Sequence, residues 1–200
     1  MTARNEVLAR IRRATTPGEL AVPRNYRNAE PTLASLDLLV DRLEDYHATV
    51  LRCGPGDVAG TLGGLLFGRV VVPAGFPPEW LADSTAEHLR DETLLSPRDL
   101  DSVDAVLTTC ALAIAETGTV VLDGAPGQGR RVLSLVPDRH VVVVTSAQVV
   151  ASVPQALQRI RPSSPQTWIS GPSATSDIEL ERVEGVHGPR QLVVVIVGEQ

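Results

Sequence analysis

Along this chain, apolar residues fall first into helical spacing and then into short uninterrupted runs. Between Asn5 and Thr15, Val7, Leu8 and Ile11 share one face while Arg10, Arg12 and Arg13 fall largely elsewhere, which predicts a short amphipathic helix. Pro17 to Pro31 is polar and carries Pro17, Gly18 and Pro23, the pattern of an ordered arm or a linker. From Leu33 to Tyr46, Leu33, Leu36, Leu39, Val40 and Leu43 recur at helical spacing with Asp37, Asp41 and Glu44 opposite them, the clearest helix in the sequence. Beyond it the pattern alternates. Thr49–Arg52 predicts a strand, Pro55–Phe67 a helix and Arg69–Ala74 a strand. Pro77–Leu81 and Pro97–Ser102 predict short helical pieces, the first started by a proline with preset φ. Val103–Thr108 and Ala111–Ala115 read as strands flanking a turn, and Thr119–Leu122 with Val132–Val136 as a hairpin around the glycine-rich segment Asp123–Gly129. A strand at His140–Val144, a helix over Ala147–Ile160 begun or interrupted near Pro154, and strands at Gln166–Ser170 and Leu192–Val197 complete the pattern.

Valine-rich runs without alternation are strands buried on both faces. Separated by helices, they predict a three-layer α/β/α domain with a mostly parallel sheet, made mixed by the hairpin near residue 125. There is no internal repeat and no second core. The expected organisation is a helix and polar arm over residues 1–30 and a single α/β domain over 31–200.

Composition narrows the chemistry. With 43% hydrophobic residues and only 3% aromatic, the core must be aliphatic. A net charge of −6 leaves no broad basic field for nucleic-acid phosphates. All 18 basic residues are arginine, so Schiff-base chemistry, pyridoxal phosphate linkage and a P-loop lysine are excluded. Coding bias in a GC-rich genome explains the missing lysine without any function. Two distant cysteines, Cys53 and Cys110, supply neither a disulfide framework nor the usual four ligands of an iron–sulfur cluster or structural zinc, so no metal site is expected. No apolar run reaches about 18 residues and no signal-peptide pattern opens the chain, which predicts a cytoplasmic protein without membrane insertion.

Three loops carry unusual polar residues. Ala115–Thr119 places Glu116, Thr117, Gly118 and Thr119 between two apolar runs. A partly buried Glu116 there would be a candidate acid, base or nucleophile, and an ordinary hairpin turn explains the same letters equally well. Gly171–Glu179 sets Gly171, Ser173, Thr175, Asp177 and Glu179 directly after a strand; Ser173 or Thr175 would cap a following helix whose amides favour an anion. Gly185–Arg190 offers His187 for proton transfer and Arg190 for a carboxylate clamp, although a histidine between glycines more often only fixes a loop. Asp123–Gly129 with Arg130 and Arg131 lacks the strand–loop–helix order of a dinucleotide fingerprint and reads as a turn. His140, at a strand start, reads as an edge cap, and His47 and His88 as surface residues.

At these loops the letters resemble a known family. AIAETGTVVLD (113–123), RVLSLVPDRHVVVV (131–144) and GPSATSDIELERVEGVHGPRQLVVVIV (171–197) are similar to signature blocks of the LUD-domain family, in its LutC/YkgG branch. The resemblance is specific over the C-terminal half and diffuse over the first hundred residues. It implies a fold similar to the NagB/RpiA/CoA-transferase-like group and a non-redox component of L-lactate oxidation to pyruvate. Iron–sulfur clusters would then reside in partner lactate-utilisation subunits, with none in this chain, and the loops at 116–119 and 171–179 would bind a small anion. The Glu-x-Gly of residues 116–118 resembles the glutamate loop of the CoA transferases by analogy of fold alone. A stand-alone enzyme on a phosphorylated or CoA-linked metabolite, and a purely structural assembly subunit, are the alternatives.

Overall fold

The computed structural model describes residues 3–14, 23, 26, 33–175, 183–184 and 188–198, with the backbone alone for 93, 174–175 and 183–184. Helix α1 (Ala3–Ala14) has no buried residue, and its apolar stripe, Val7 and Ile11, is exposed. Helix α2 (Leu36–Asp45) starts where the sequence supplies a cap: the Ser35 hydroxyl accepts the Leu38 amide, and Leu39 and Leu43 are buried. Next come β1 (Thr49–Cys53), α3 (Val58–Leu65), β2 (Arg69–Val72), a 3₁₀ turn at Pro78–Leu81, β3 (Glu87–Arg90), α4 (Pro97–Asp101) and β4 (Ala105–Thr109). Helix α4 carries a reciprocal capping box between Ser96 and Asp99. The chain continues through β5 (Leu112–Ile114), β6 (Thr119–Leu122), β7 (Arg139–Thr145), β8 (Val149–Val150), α5 (Val153–Arg159), β9 (Thr167–Ile169), β10 (Ala174–Thr175), β11 (Val183–Glu184) and β12 (Gln191–Val197).

Six strands form one wholly parallel sheet in the order β1-β12-β7-β4-β2-β3. Its middle is aliphatic: Val141–Val144 and Val194–Ile196 are at most 1% exposed. Each such side chain contributes about 1.5–3 kcal/mol of hydrophobic burial. One face packs on α3 and on Phe76 and Leu81; the other packs on α2 and on a second, four-stranded sheet ordered β8-β5-β6-β9. Helix α5 covers the far side of that second sheet through Ala156 and Ile160. The α/β class with helices on both sides is therefore observed, with the antiparallel strands segregated into a sheet of their own.

Three local expectations are corrected. The hairpin joining Thr119–Leu122 to Val132–Val136 does not form, because β6 uses both of its edges, against β5 and β9. Residues Arg131–Ser134 instead make a 3₁₀ turn that drives Leu133 into a cluster with Val71, Leu100 and Val106. The single helix over Ala147–Ile160 is divided: Val149–Val150 add a parallel strand to β5, and α5 begins only at Val153, with Pro154 in its first turn. Strand β3 was absent from the pattern because its residues, Glu-His-Leu-Arg, are mostly polar, as suits an exposed sheet edge.

Candidate functional site

The loops singled out by sequence do converge, and they do so at the amino edge of the parallel sheet. Strands β5 and β6 form a hairpin whose turn holds Glu116, Thr117 and Gly118. Gly118 has φ +58° and sits so close to α2 that a Cβ would lie 2.8 Å from the Arg42 backbone. Gly171, at φ +84°, abuts the same helix end, where a Cβ would come 2.6 Å from Tyr46 Cβ. Only glycine adopts such angles readily and leaves room for the helix. Hydroxyls link the two loops: Thr117 Oγ1 lies 2.7 Å from Thr119 Oγ1, which lies 2.8 Å from Ser170 Oγ. The Ser173 amide donates to the Pro189 carbonyl at 2.8 Å, bringing in the third loop.

Between these loops and the first residues of β7 and β12 lies a cavity of about 250 Å³. Its polar lining includes Arg131, Ser134, His140, Thr167, Ser170 and Ser173, with Gly171 and Gly188 supplying backbone. His140 is 1% exposed, and its Nε2 lies 2.8 Å from the Thr108 hydroxyl. Its Nδ1 is buried and has no hydrogen-bond partner among the described residues. Burial first, and the Arg131 guanidinium second, push the imidazole down to about 4, so it is neutral at physiological pH. Arg131 is exposed and bonds the Ser134 hydroxyl at 3.2 Å, and among the described residues it faces no carboxylate. Among the described residues, then, a ring nitrogen without a partner, a guanidinium without a carboxylate and several hydroxyls line one space, a set whose chemistry suits a small anion.

The expected site residues divide. Gly171 and Ser173 line the cavity, and Thr119 supports it through Ser170. Glu116 and Thr117 do not line it; the Glu116 amide donates to the Ala151 carbonyl in the hairpin turn. Ser173 precedes strand β10 and so caps no helix, which corrects that expectation; Thr175, described by its backbone, pairs with Val183. Arg190 grips the chain's own Asp138 through two bonds of 2.6 and 2.9 Å. Asp177, Glu179 and His187 lie outside the described residues. His140 is not an edge cap but part of a central strand. The signal for it was available, because a polar residue heading an unbroken valine run must be buried with that run.

No three His, Cys, Asp or Glu side chains converge as a metal-ligand set among the described residues. Cys53 and Cys110 are free and buried, and burial pushes the Cys110 thiol far up, away from thiolate chemistry. No helix is long and apolar enough to cross a membrane.

Fold and cavity together define an α/β domain with a polar-lined cavity at the amino edge of its parallel sheet. The chain belongs to the LUD domain family, whose model matches residues 79–197. It is 51% identical over 166 residues to lactate utilization protein C of Deinococcus radiodurans, covering 79% of this chain and 77% of that protein. It is 35% identical over 104 residues to lactate utilization protein C of Shouchella clausii, a match spanning 48% of this chain and 45% of the relative. Among solved structures it resembles a duf162 family protein from Deinococcus radiodurans, with a TM-score of 0.70 and 42% identity over 82% of this chain and 96% of that one.

Proposed function

We propose that this chain serves lactate utilisation by holding the carboxylate of lactate, or of its oxidation product pyruvate, in the amino-edge cavity. Iron–sulfur partner subunits would carry the electrons. The observation that carries the binding part is that His140, whose Nδ1 has no partner among the described residues, and Arg131, which faces no carboxylate among them, line one space of about 250 Å³. That volume lies just below the roughly 300–1,000 Å³ of drug-sized sites and suits a ligand of only a few heavy atoms. In the tautomer in which the Thr108 hydroxyl donates to Nε2, the imidazole proton sits on Nδ1, from which it would be donated to a carboxylate oxygen. Arg131 supplies the charge, and the hydroxyls of Ser134 and Ser170 are placed to meet a 2-hydroxyl or 2-oxo group. The names of the relatives support the choice of substrate.

Thermal stability of the chain with added L-lactate or pyruvate tests this reading. Ligand at a hundred times its Kd adds about 2.7 kcal/mol, a rise of roughly 5–10 °C for a chain of this size. The rise should disappear in Arg131→Ala. No shift with either acid, or a shift that survives that substitution, refutes the pocket. A tagged copy recovered from cells growing on lactate without iron-bearing companions refutes the assembly.

A further inference from the structure

The opposite edge of the parallel sheet carries a second, larger cleft that the lactate reading does not use. Open α/β sheets bind ligands beyond the carboxyl ends of their strands, where the winding direction reverses. Here the chain passes from β2 outward to β3, then returns to β4 and proceeds the other way to β7 and β12, so the reversal lies between β2 and β4. The glycine-rich segment 123–129 lies across that point: the Gly127 amide donates to the Ala74 carbonyl at 2.7 Å, and the Thr109 amide to the Gly127 carbonyl at 2.8 Å. Beside it opens a space of about 820 Å³ whose lining includes Trp80, Thr109, Thr145, Gln148, Arg159 and Arg161. Trp80 and Thr145 are shared with an adjoining hollow of about 540 Å³ at the ends of β7 and β12.

The lining has two chemical halves. Arg159 and Arg161 flank Ile160, which is buried against the second sheet and anchors them at the end of α5. Arg159 donates to the Ala147 carbonyl at 3.3 Å, and Arg161 has no carboxylate opposite it among the described residues. In a chain of net charge −6 without lysine, two neighbouring guanidiniums of this kind favour a phosphate, which accepts their fork bidentately. The lining also includes one carboxylate among the described residues, Asp123, which accepts the Ala125 amide at 3.2 Å. The other half is aromatic. Trp80 is half-buried and held edge-on against Phe76, with ring centroids 5.7 Å apart at 78°, which fixes its plane. A fixed indole is a platform for a flat heterocycle, since nucleobases stack on aromatic side chains whatever their sequence.

We propose that this carboxyl-edge cleft binds a nucleoside phosphate, the base on Trp80 and the phosphates on Arg159 and Arg161. The two halves distinguish it from the amino-edge cavity of about 250 Å³, where Arg131 is the one guanidinium among the described lining residues.

Isothermal calorimetry on the full chain tests the assignment with ADP, adenosine and inorganic pyrophosphate as separate probes. ADP should bind saturably and more tightly than either fragment. Replacing both arginines by alanine removes charge-assisted bonds and should weaken ADP about tenfold or more. Trp80→Leu should weaken ADP and leave pyrophosphate unaffected, and Trp80→Phe should restore part of the loss, which separates stacking from damage to the fold. Two results would each overturn the proposal: no saturable heat with millimolar ADP, or pyrophosphate binding as tightly as ADP.

Discussion

The buried imidazole of His140 makes the stability of the chain depend on pH in a way that isolates one side chain. Its pKa is pushed down to about 4, while the same histidine in the unfolded chain keeps its ordinary value of 6.5. As pH falls through 6.5 the unfolded chain takes up a proton that the native state refuses until about pH 4, so native stability is lost across that window. Those two values give a loss of about 2 kcal/mol between pH 7 and pH 5, and a limit of about 3 kcal/mol below pH 4. His140→Gln removes the titration and keeps an amide near the Thr108 hydroxyl. The measurement is urea unfolding of both proteins at pH 7, 6 and 5, followed by far-ultraviolet circular dichroism. His88, also held below its usual pKa by burial and by Arg90, is present in both and cancels in the difference. Wild type should lose about 2 kcal/mol more than the variant over this range, whatever the variant costs at pH 7. Stability profiles that stay parallel to within about 0.5 kcal/mol would mean that His140 is solvated in the native protein, and the orphan-nitrogen argument would fall with it.

Further expectations follow from the same geometry. Gly171→Ala forces a side chain into a left-handed residue and against Tyr46, and should cost more than about 2 kcal/mol in denaturant unfolding; Gly118→Ala, against the Arg42 backbone, should behave alike. Two bidentate arginine–carboxylate pairs differ in exposure, and the Arg130–Asp91 pair is also tied to the Leu95 backbone, so they should differ in worth. Arg130→Ala strands Asp91, whose side chain is 9% exposed, and should cost about 3 kcal/mol, whereas Arg190→Ala, at a pair 59% and 46% exposed, should cost no more than about 1 kcal/mol. Equal losses in the two variants would show that burial does not govern these pairs. Both carboxyls are held below their usual range by their arginines, so the stability that each pair adds at neutral pH should be lost in acid, as pH falls below the ordinary carboxylate range. Unfolding at pH 7 and in acid, with each variant as reference, checks this.

Much of the architecture was legible in the chain because local patterning and tertiary burial agree there. Val141–Val144 and Leu192–Val197 read as buried strands because a strand covered on both faces tolerates no polar alternation, and α2 was legible from its 3.6-residue apolar period. The convergence of the 117–119 and 170–173 segments was also foreshadowed, since small polar residues and glycines clustered after apolar runs mark places where backbone must approach backbone closely. What the sequence by itself determined was therefore the class of fold, the family and the segments that meet.

The tertiary structure decided which strands share a sheet, and with that which edge each loop occupies. Nothing in Thr119–Leu122 distinguishes a strand pairing forward in sequence from one pairing with β5 and β9, because edge hydrogen bonds carry no side-chain signature. The same ambiguity hid the two pockets. His140 and Arg131 are nine residues apart along the chain but are neighbours because the 3₁₀ turn at Arg131–Ser134 folds back toward the start of β7. Trp80, Thr109 and Arg161 meet only because three parallel crossovers end at one edge of the sheet. Long-range pairing is selected by the summed burial of the whole core, and that sum is not readable from any single window of residues.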